Sequence, residues 1–361
     1  MQTKLPFSVI FTTTLLGIFL FFGGLIIAAD LLVPLAFAFI FSLTLYPLVV
    51  RLEKRGISRF LSVMAALLVV LFILAIIFLI IYQNILTFSS DLPEMKRRSL
   101  LLIEKTQKNI ETTLNMPAES QLNWLKQNSN SFLSFIGKFI NNLIASTTNF
   151  LSQTVIVLLY IYFMLYYRHV FKGFIVRVVS ASHRRKAIKI ELQIIEVTQK
   201  YLIGLLTVMF VVAILNVAGL LALGIPHAIF FGTFAALLIV IPFIGVFIGS
   251  ALPVLFALIM TDSLFYPVAI FVWFQIVQAL EGNIITPNIV GSQISLNPLV
   301  AILALLIGAS VWGIAGMVLF TPFTAMVKVI FDNIPSLTPY GYLLGQGEPQ
   351  FHKKNNRKKG S

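Results

Sequence analysis

Long apolar runs separated by short polar knots extend along most of this chain, and the pattern predicts transmembrane helices rather than a soluble core. The first run, Phe7 to Ala29, is long enough to span a bilayer and lacks a small-residue cleavage site, so it reads as a retained helix and uncleaved signal anchor. Asp30 separates it from a second run, about Leu31 to Val50, with Pro34 and Pro47 near its ends, and so short a link predicts a tight helical hairpin. RLEKRGISR follows at 51–59, then a third run, about Phe60 to Leu86. From Ser89 to Ser146 the pattern turns mixed. There Ile103, Gln107, Ile110 and Leu114 share one helical stripe, Pro117 interrupts, and Phe132, Phe135, Ile136, Phe139, Ile140 and Leu143 recur at three and four residues. Two amphipathic helices are expected, serving either as a gate or protomer contact or as interfacial helices packed on their own bundle. A fourth span, about Asn149 to Tyr167, ends in the aromatic cluster YIYFMLYY, and a fifth runs from about Leu202 to Leu223.

The most unusual stretch lies between Tyr201 and Lys328, where Asp262 and Glu281 are the only formally charged side chains. Residues 228–260 would form a helix about 50 Å long against a hydrocarbon thickness of about 30 Å, so the run must break or fold back. Pro242, with Gly245 and Gly249 behind it, marks the place, as one kinked span or as a re-entrant hairpin. Counted as one crossing, followed by a seventh helix from about Leu264 to Leu280 and an eighth, it gives about eight transmembrane helices in an all-α polytopic membrane protein. The partition that follows is 1–88 (helices one to three), 89–146 (extracytoplasmic insert), 147–200 (helix four and a basic loop), 201–332 (transport region) and 333–361 (basic tail).

Composition agrees with the pattern. The 361 residues are 58% hydrophobic and 11% charged, with a mean hydropathy of +0.96, whereas soluble domains carry about one quarter charged residues. The net charge of +13 is no footprint of nucleic-acid binding, because the Lys and Arg residues sit between apolar spans and in the tail KKNNRKKGS. Their positions place the 51–59 loop, the segment Arg168 to Lys200 and both termini in the cytoplasm. Ile188, Leu192 and Ile195 beside the cations of that segment admit contact with anionic lipids as well as a purely topogenic role. With no cysteine and four scattered histidines, no thiolate or zinc site is expected. The absence of HExxH, GxSxG and Walker motifs speaks against an intramembrane enzyme, a cofactor and ATP-driven transport.

Candidate chemistry concentrates after helix seven. Gln275, Gln278 and Glu281, three residues apart, fall on one helical edge, and Asn283, Thr286, Asn288, Gln293 and Asn297 follow in a segment bounded by Pro287 and Pro298. A carboxylate among amides and hydroxyls can hold a proton or hydrogen-bond a polar solute, and ionisable groups at membrane depth mark pathways. The same glutamate at a helix end in the headgroup layer would be an ordinary exposed acid. Asn216 is the one strongly polar residue of helix five, where glue between helices is its simplest role, and Gly308, Gly313 and Gly316 suit close helix packing in helix eight. A membrane scaffold acting through its insert and tail is the reading from another class.

The segments YPLVVRLEKRGISR (46–59), GIPHAIFFG (224–232), IPFIG (241–245), EGNIITPNIVGSQISLNPL (281–299) and LLIGASVWGIAGMVLFTPFTAMVKVI, ending at Ile330, give the chain a resemblance to the autoinducer-2 exporter family of bacterial inner-membrane permeases over nearly its whole length. The resemblance implies eight helices with a large loop after the third, homo-oligomeric assembly with a pentamer as one form, and export of small polar solutes, autoinducer-2 among them. Other members resemble sodium/proton antiporters in activity, so protons or sodium ions are implied partners too. Two departures stand out: Gly282 occupies the position of a second acidic residue, leaving Glu281 alone, and Val246 that of a proline.

Overall fold

The computed structural model describes residues 6–114, 152–241, 244–289 and 296–346. Among them the secondary structure is helical, apart from one isolated bridge between Leu296 and Gly345. The helices are α1 (Phe7–Ile27), α2 (Ala29–Lys54), α3 (Arg59–Leu114), α4 (Ser152–Tyr166), α5 (Arg168–Val178), α6 (Arg184–Ala222), α7 (Ala228–Leu238), α8 (Ile244–Met260), α9 (Phe265–Leu280), α10 (Thr286–Ile289), α11 (Pro298–Asn333) and α12 (Thr338–Leu344). They belong to two compact units. The first takes its residues from Met1–Ala66, Val155–Ile203 and Val290–Ser361, the second from Leu67–Thr154 and Gly204–Ile289.

Six of these stretches are long and apolar enough to cross a membrane, and α4 with α5, bent by 58°, makes a seventh if the pair is one span. Apolar side chains facing outward agree with that reading: α1 buries none of its residues, and Phe7, Phe19 and Phe21 are all exposed. In water such a surface would drive association, whereas hydrocarbon solvates it.

The helix boundaries differ from the expected ones at three places. α3 does not stop near Leu86 but runs for 56 residues, about 84 Å, straight through Pro93 and across the start of the polar insert. The first amphipathic stripe, 103–114, is its continuation, and the second lies outside the described residues. The basic segment 168–200 is helical throughout most of its length, and α6 passes without a break from Arg184 into the fifth apolar run, because no glycine or proline interrupts it before Gly204. Finally, two runs counted as single crossings fold back on themselves.

In the first of these, α7 and α8 lie antiparallel. A Cβ built on Gly249 would stand 2.8 Å from Ala235 Cα, and one on Gly245 only 1.7 Å from the Leu238 carbonyl oxygen. Of the two shapes left open for 228–260, the chain takes the hairpin, with legs of about 16 and 25 Å that are each too short to span. Pro242, the expected breaking residue, lies outside the described residues. In the second, α11 reverses at Trp312–Gly313, where Gly313 adopts φ 58°, ψ −136°, a conformation open only to glycine. Residues 308 and 316 of a straight helix would be about 12 Å apart, yet a Cβ on Gly316 would stand 1.9 Å from the Gly308 carbonyl oxygen. The expected eighth helix is therefore two packed legs.

Each unit has its own core. In the second, Phe88, Phe231 and Phe256 are essentially inaccessible and their rings meet at 5.3–5.9 Å, joining α3, α7 and α8. In the first, Ala36, Ile40, Leu202, Leu319 and Met326 join α2, α6 and the second leg of α11.

Candidate functional site

The site grows out of α9. Its buried positions, Pro267, Ile270, Phe274 and Val277, are spaced by three and four, which packs one face of the helix and brings the neighbouring Gln278 partly inside. Instead of ending at Leu280, the helix passes into a single π turn, Glu281–Ile285, before α10. A π turn aligns residues five apart, and so Thr286 comes beneath Glu281. Its hydroxyl donates a short hydrogen bond to Glu281 Oε1, while Gln278 Nε2 donates to Oε2 at 2.9 Å. Each oxygen of the half-buried carboxylate thus holds a donor, and the carboxylate is fixed in place.

Gln278 also lines a cavity of about 10 Å³ with Val212, Asn216, Ile239, Val246 and Phe274, the lower limit for one water molecule. Ile239 follows α7 and Val246 lies in the first turn of α8, so the tip of the fold-back abuts this cavity. Asn216, on α6, is only 3% exposed, and its Oδ1 has no hydrogen-bond partner. An orphaned buried acceptor costs about 1–3 kcal/mol. Replacing Asn216 by leucine should therefore raise thermal stability by roughly that amount while lowering flux, measured by thermal unfolding and liposome transport side by side. Loss of both would make the residue interhelical glue only.

The remaining sequence candidates divide. Gln275 is exposed on α9, and Asn283 is turned outward with its Nδ2 on the Ala279 carbonyl oxygen at 2.9 Å; neither reaches the cluster of Gln278, Glu281 and Thr286. Asn297 belongs to the other unit and caps α11, its Oδ1 accepting from the Leu299 N–H at 2.9 Å, with Pro298 as the first helical residue rather than a break. Pro287 lies inside the continuous helical run Phe265–Ile289, just after the π turn, and deprives the preceding turn of one backbone donor. Gly245 and Gly249 are the contact points of the α7–α8 legs. Among the described residues no group of three or more His, Asp or Glu is placed to hold a metal ion.

Sequence reasoning missed a second polar group, at the opposite end of the hairpin. His227, just before α7, adopts φ 59°, and its Nε2 meets Asp91 Oδ2 of α3 at 2.6 Å inside a box of Phe88, Phe231 and Phe256 rings. Two turns further along α3, Arg98 Nη1 donates to the carbonyl oxygen of Met260, the last residue of α8, at 2.8 Å. Glu94 orients that arginine. Hydrogen bonds from Arg97 and then Arg98 hold its carboxyl down to a pKa of about 2. Both legs are thus tied at their base to one helix. No local signal reveals a pair 136 residues apart, although an isolated acid at the end of an apolar run is the kind of residue that seeks one. Replacing His227 by alanine should cost about 1 kcal/mol, the net worth of one hydrogen bond, because Asp91 is partly exposed, and should speed proteolytic cleavage within 239–246 relative to the rest of the chain.

The model of one protein family, AI-2E family transporter, matches residues 15–336. YueF of Bacillus subtilis, provisionally named a transport protein, is 28% identical over 346 residues, covering 93% of each chain. YhhT of Escherichia coli, named in the same provisional way, is 24% identical over 91% of this chain and 92% of its own. The AI-2 transport protein TqsA of Escherichia coli is 23% identical over 313 residues, 86% of this chain and 88% of its own.

Proposed function

This chain belongs to the AI-2E transporter family, and from that premise we propose that it is a secondary transporter moving small polar solutes across a bacterial inner membrane, with Gln278, Glu281 and Asn216 on the route. The observation that carries this reading is the fixed carboxylate of Glu281, linked through Gln278 to a cavity that also holds the unpartnered Asn216 Oδ1. A buried polar group without a partner, such as the Asn216 amide oxygen, is costly unless it meets water, an ion or a solute. In its present form the cavity has room for no more than about one water molecule, and a solute enters when the α7–α8 tip moves while its base stays tied to α3. Gly245 and Gly249 bring the legs together backbone to backbone near the tip, whereas the Phe231 and Phe256 rings pack the legs nearer the base.

A solute bearing several hydroxyls fits one carboxylate acceptor, one amide and one hydroxyl, and the relative named for AI-2 transport makes that signal the first compound to try. Cytoplasmic termini belong to the same proposal and are supported by the basic segments, and assembly as a homo-oligomer belongs to it through the family resemblance alone. The test is flux in proteoliposomes containing the purified protein. Labelled AI-2 or a related polyol should equilibrate faster than in empty liposomes, without ATP. If a pH jump instead drives sodium movement and no organic solute crosses, Glu281 is the titrating group of an antiporter and the solute reading fails.

A further inference from the structure

We propose that the first unit carries a binding site for an anionic membrane phospholipid, taking one acyl chain into a cavity between α2, α4, α5 and α6 and its phosphate onto Arg168. The cavity measures about 620 Å³, and its wall is mainly apolar, including Phe39, Leu43, Met164 and Ile194. Arg168, Lys172 and Glu191 are the charged residues among those lining it.

Arg168 is the reason to choose a phosphate. Its Nη2 donates to Glu53 Oε2 and its Cζ lies 5.7 Å from the centre of the Tyr46 ring, which fixes the guanidinium plane. Yet Nη1 is buried without an acceptor, and Glu53 Oε1 is buried without a donor, so this ion pair leaves one group unmet on each side. A guanidinium presents a fork of donors suited to phosphate oxygens, and a buried donor left unmet is destabilising. Lys172 is held only loosely, 3.9 Å from Glu191 Oε2. Arg59 lies close by, with Nη1 2.8 Å from His169 Nδ1 and Nε 3.7 Å from Glu53. Three cations thus face two carboxylates, an excess that favours an anionic headgroup over a zwitterionic one. A free phosphate ion would satisfy Arg168 but leave the apolar chamber unfilled, whereas an acyl chain fills it without exposing polar backbone. Basic pockets between transmembrane helices commonly take anionic lipids in this way.

The experiment is native mass spectrometry of the delipidated full-length protein, titrated separately with phosphatidylglycerol, phosphatidylcholine and inorganic phosphate. Wild type should retain phosphatidylglycerol about tenfold more tightly than phosphatidylcholine, equivalent to one charge-assisted contact of about 1.4 kcal/mol, and Arg168→Gln should lose the preference. Because that change also strips Glu53 of its partner, Ala187→Phe serves as a second variant that narrows the cavity and keeps every charge. It should retain neither lipid while remaining monodisperse. Equal retention of the two lipids by wild type, retention by Ala187→Phe, or displacement of the lipid by inorganic phosphate alone would overturn the proposal. So would a photo-crosslinker at Phe174 that captures a second copy of the chain instead of lipid.

Discussion

Replacing Glu281 by glutamine is expected to reduce solute flux by roughly tenfold to a hundredfold while leaving the protein assembled. The estimate follows from the bonds the carboxylate makes. Hydrogen bonds to a charged group are worth about 1.5–3 kcal/mol, and each 1.4 kcal/mol corresponds to a factor of ten. Glutamine keeps the shape and can still accept from Thr286, but it turns an N–H₂ toward the amide of Gln278, where two donors now meet. The route loses its charge and part of its geometry together. Initial flux rates in liposomes, normalised to monodisperse protein, give the measurement. An unchanged rate would return Glu281 to the status of a helix-end residue.

A larger structural effect is expected from Gly316→Val. The new Cβ would lie 1.9 Å from the Gly308 carbonyl oxygen and 3.0 Å from Gly308 Cα, distances that backbone atoms cannot relieve without parting the two legs of α11. Overpacking of this kind costs about 1–3 kcal/mol in a core that can adjust, and here the opposing atoms are main chain on both sides. The variant should unfold at a markedly lower temperature and be recovered in poor yield. Gly17→Val is the matched control, since nothing lies within 4 Å of a Cβ at that position in α1. Equal thermal stability of the two variants would contradict the folded-back form of α11.

Much of this architecture was legible because membrane helices obey two strong rules, apolar length and the cost of unpaired backbone. The spans of α1, α2 and α9 and the need for a break in 228–260 came from those rules. The contact of Gln278 with Glu281 is the ordinary three-residue neighbour relation on a helix. What escaped was backbone geometry that the residue types permit without announcing, since Gly313 was read as a packing glycine and not as a reversal. Trp312–Gly313 reverses α11 with no proline to announce it, and the π turn that brings Thr286 under Glu281 follows no composition rule. The extension of α3 past Leu86 escaped for the opposite reason: polarity was read as a boundary, although Lys, Glu, Arg and Leu continue a helix as readily as apolar residues do. Asn297 shows the limit of listing polar residues by proximity in sequence, since its amide is spent on capping α11.

The central claim is that water or solute reaches Gln278 and Glu281 from within the protein. The natural absence of cysteine makes it directly measurable. Single substitutions Gln278→Cys and, as a comparison, Ile270→Cys on the buried face of α9 and away from the cavity can be treated with a small membrane-impermeant thiol reagent in intact liposomes, with and without transported solute. The account predicts that Gln278→Cys reacts, that solute slows its reaction, and that Ile270→Cys stays unreactive. A thiol at 278 that stays unmodified from both sides of the membrane, or reacts at a rate indifferent to solute, would contradict it.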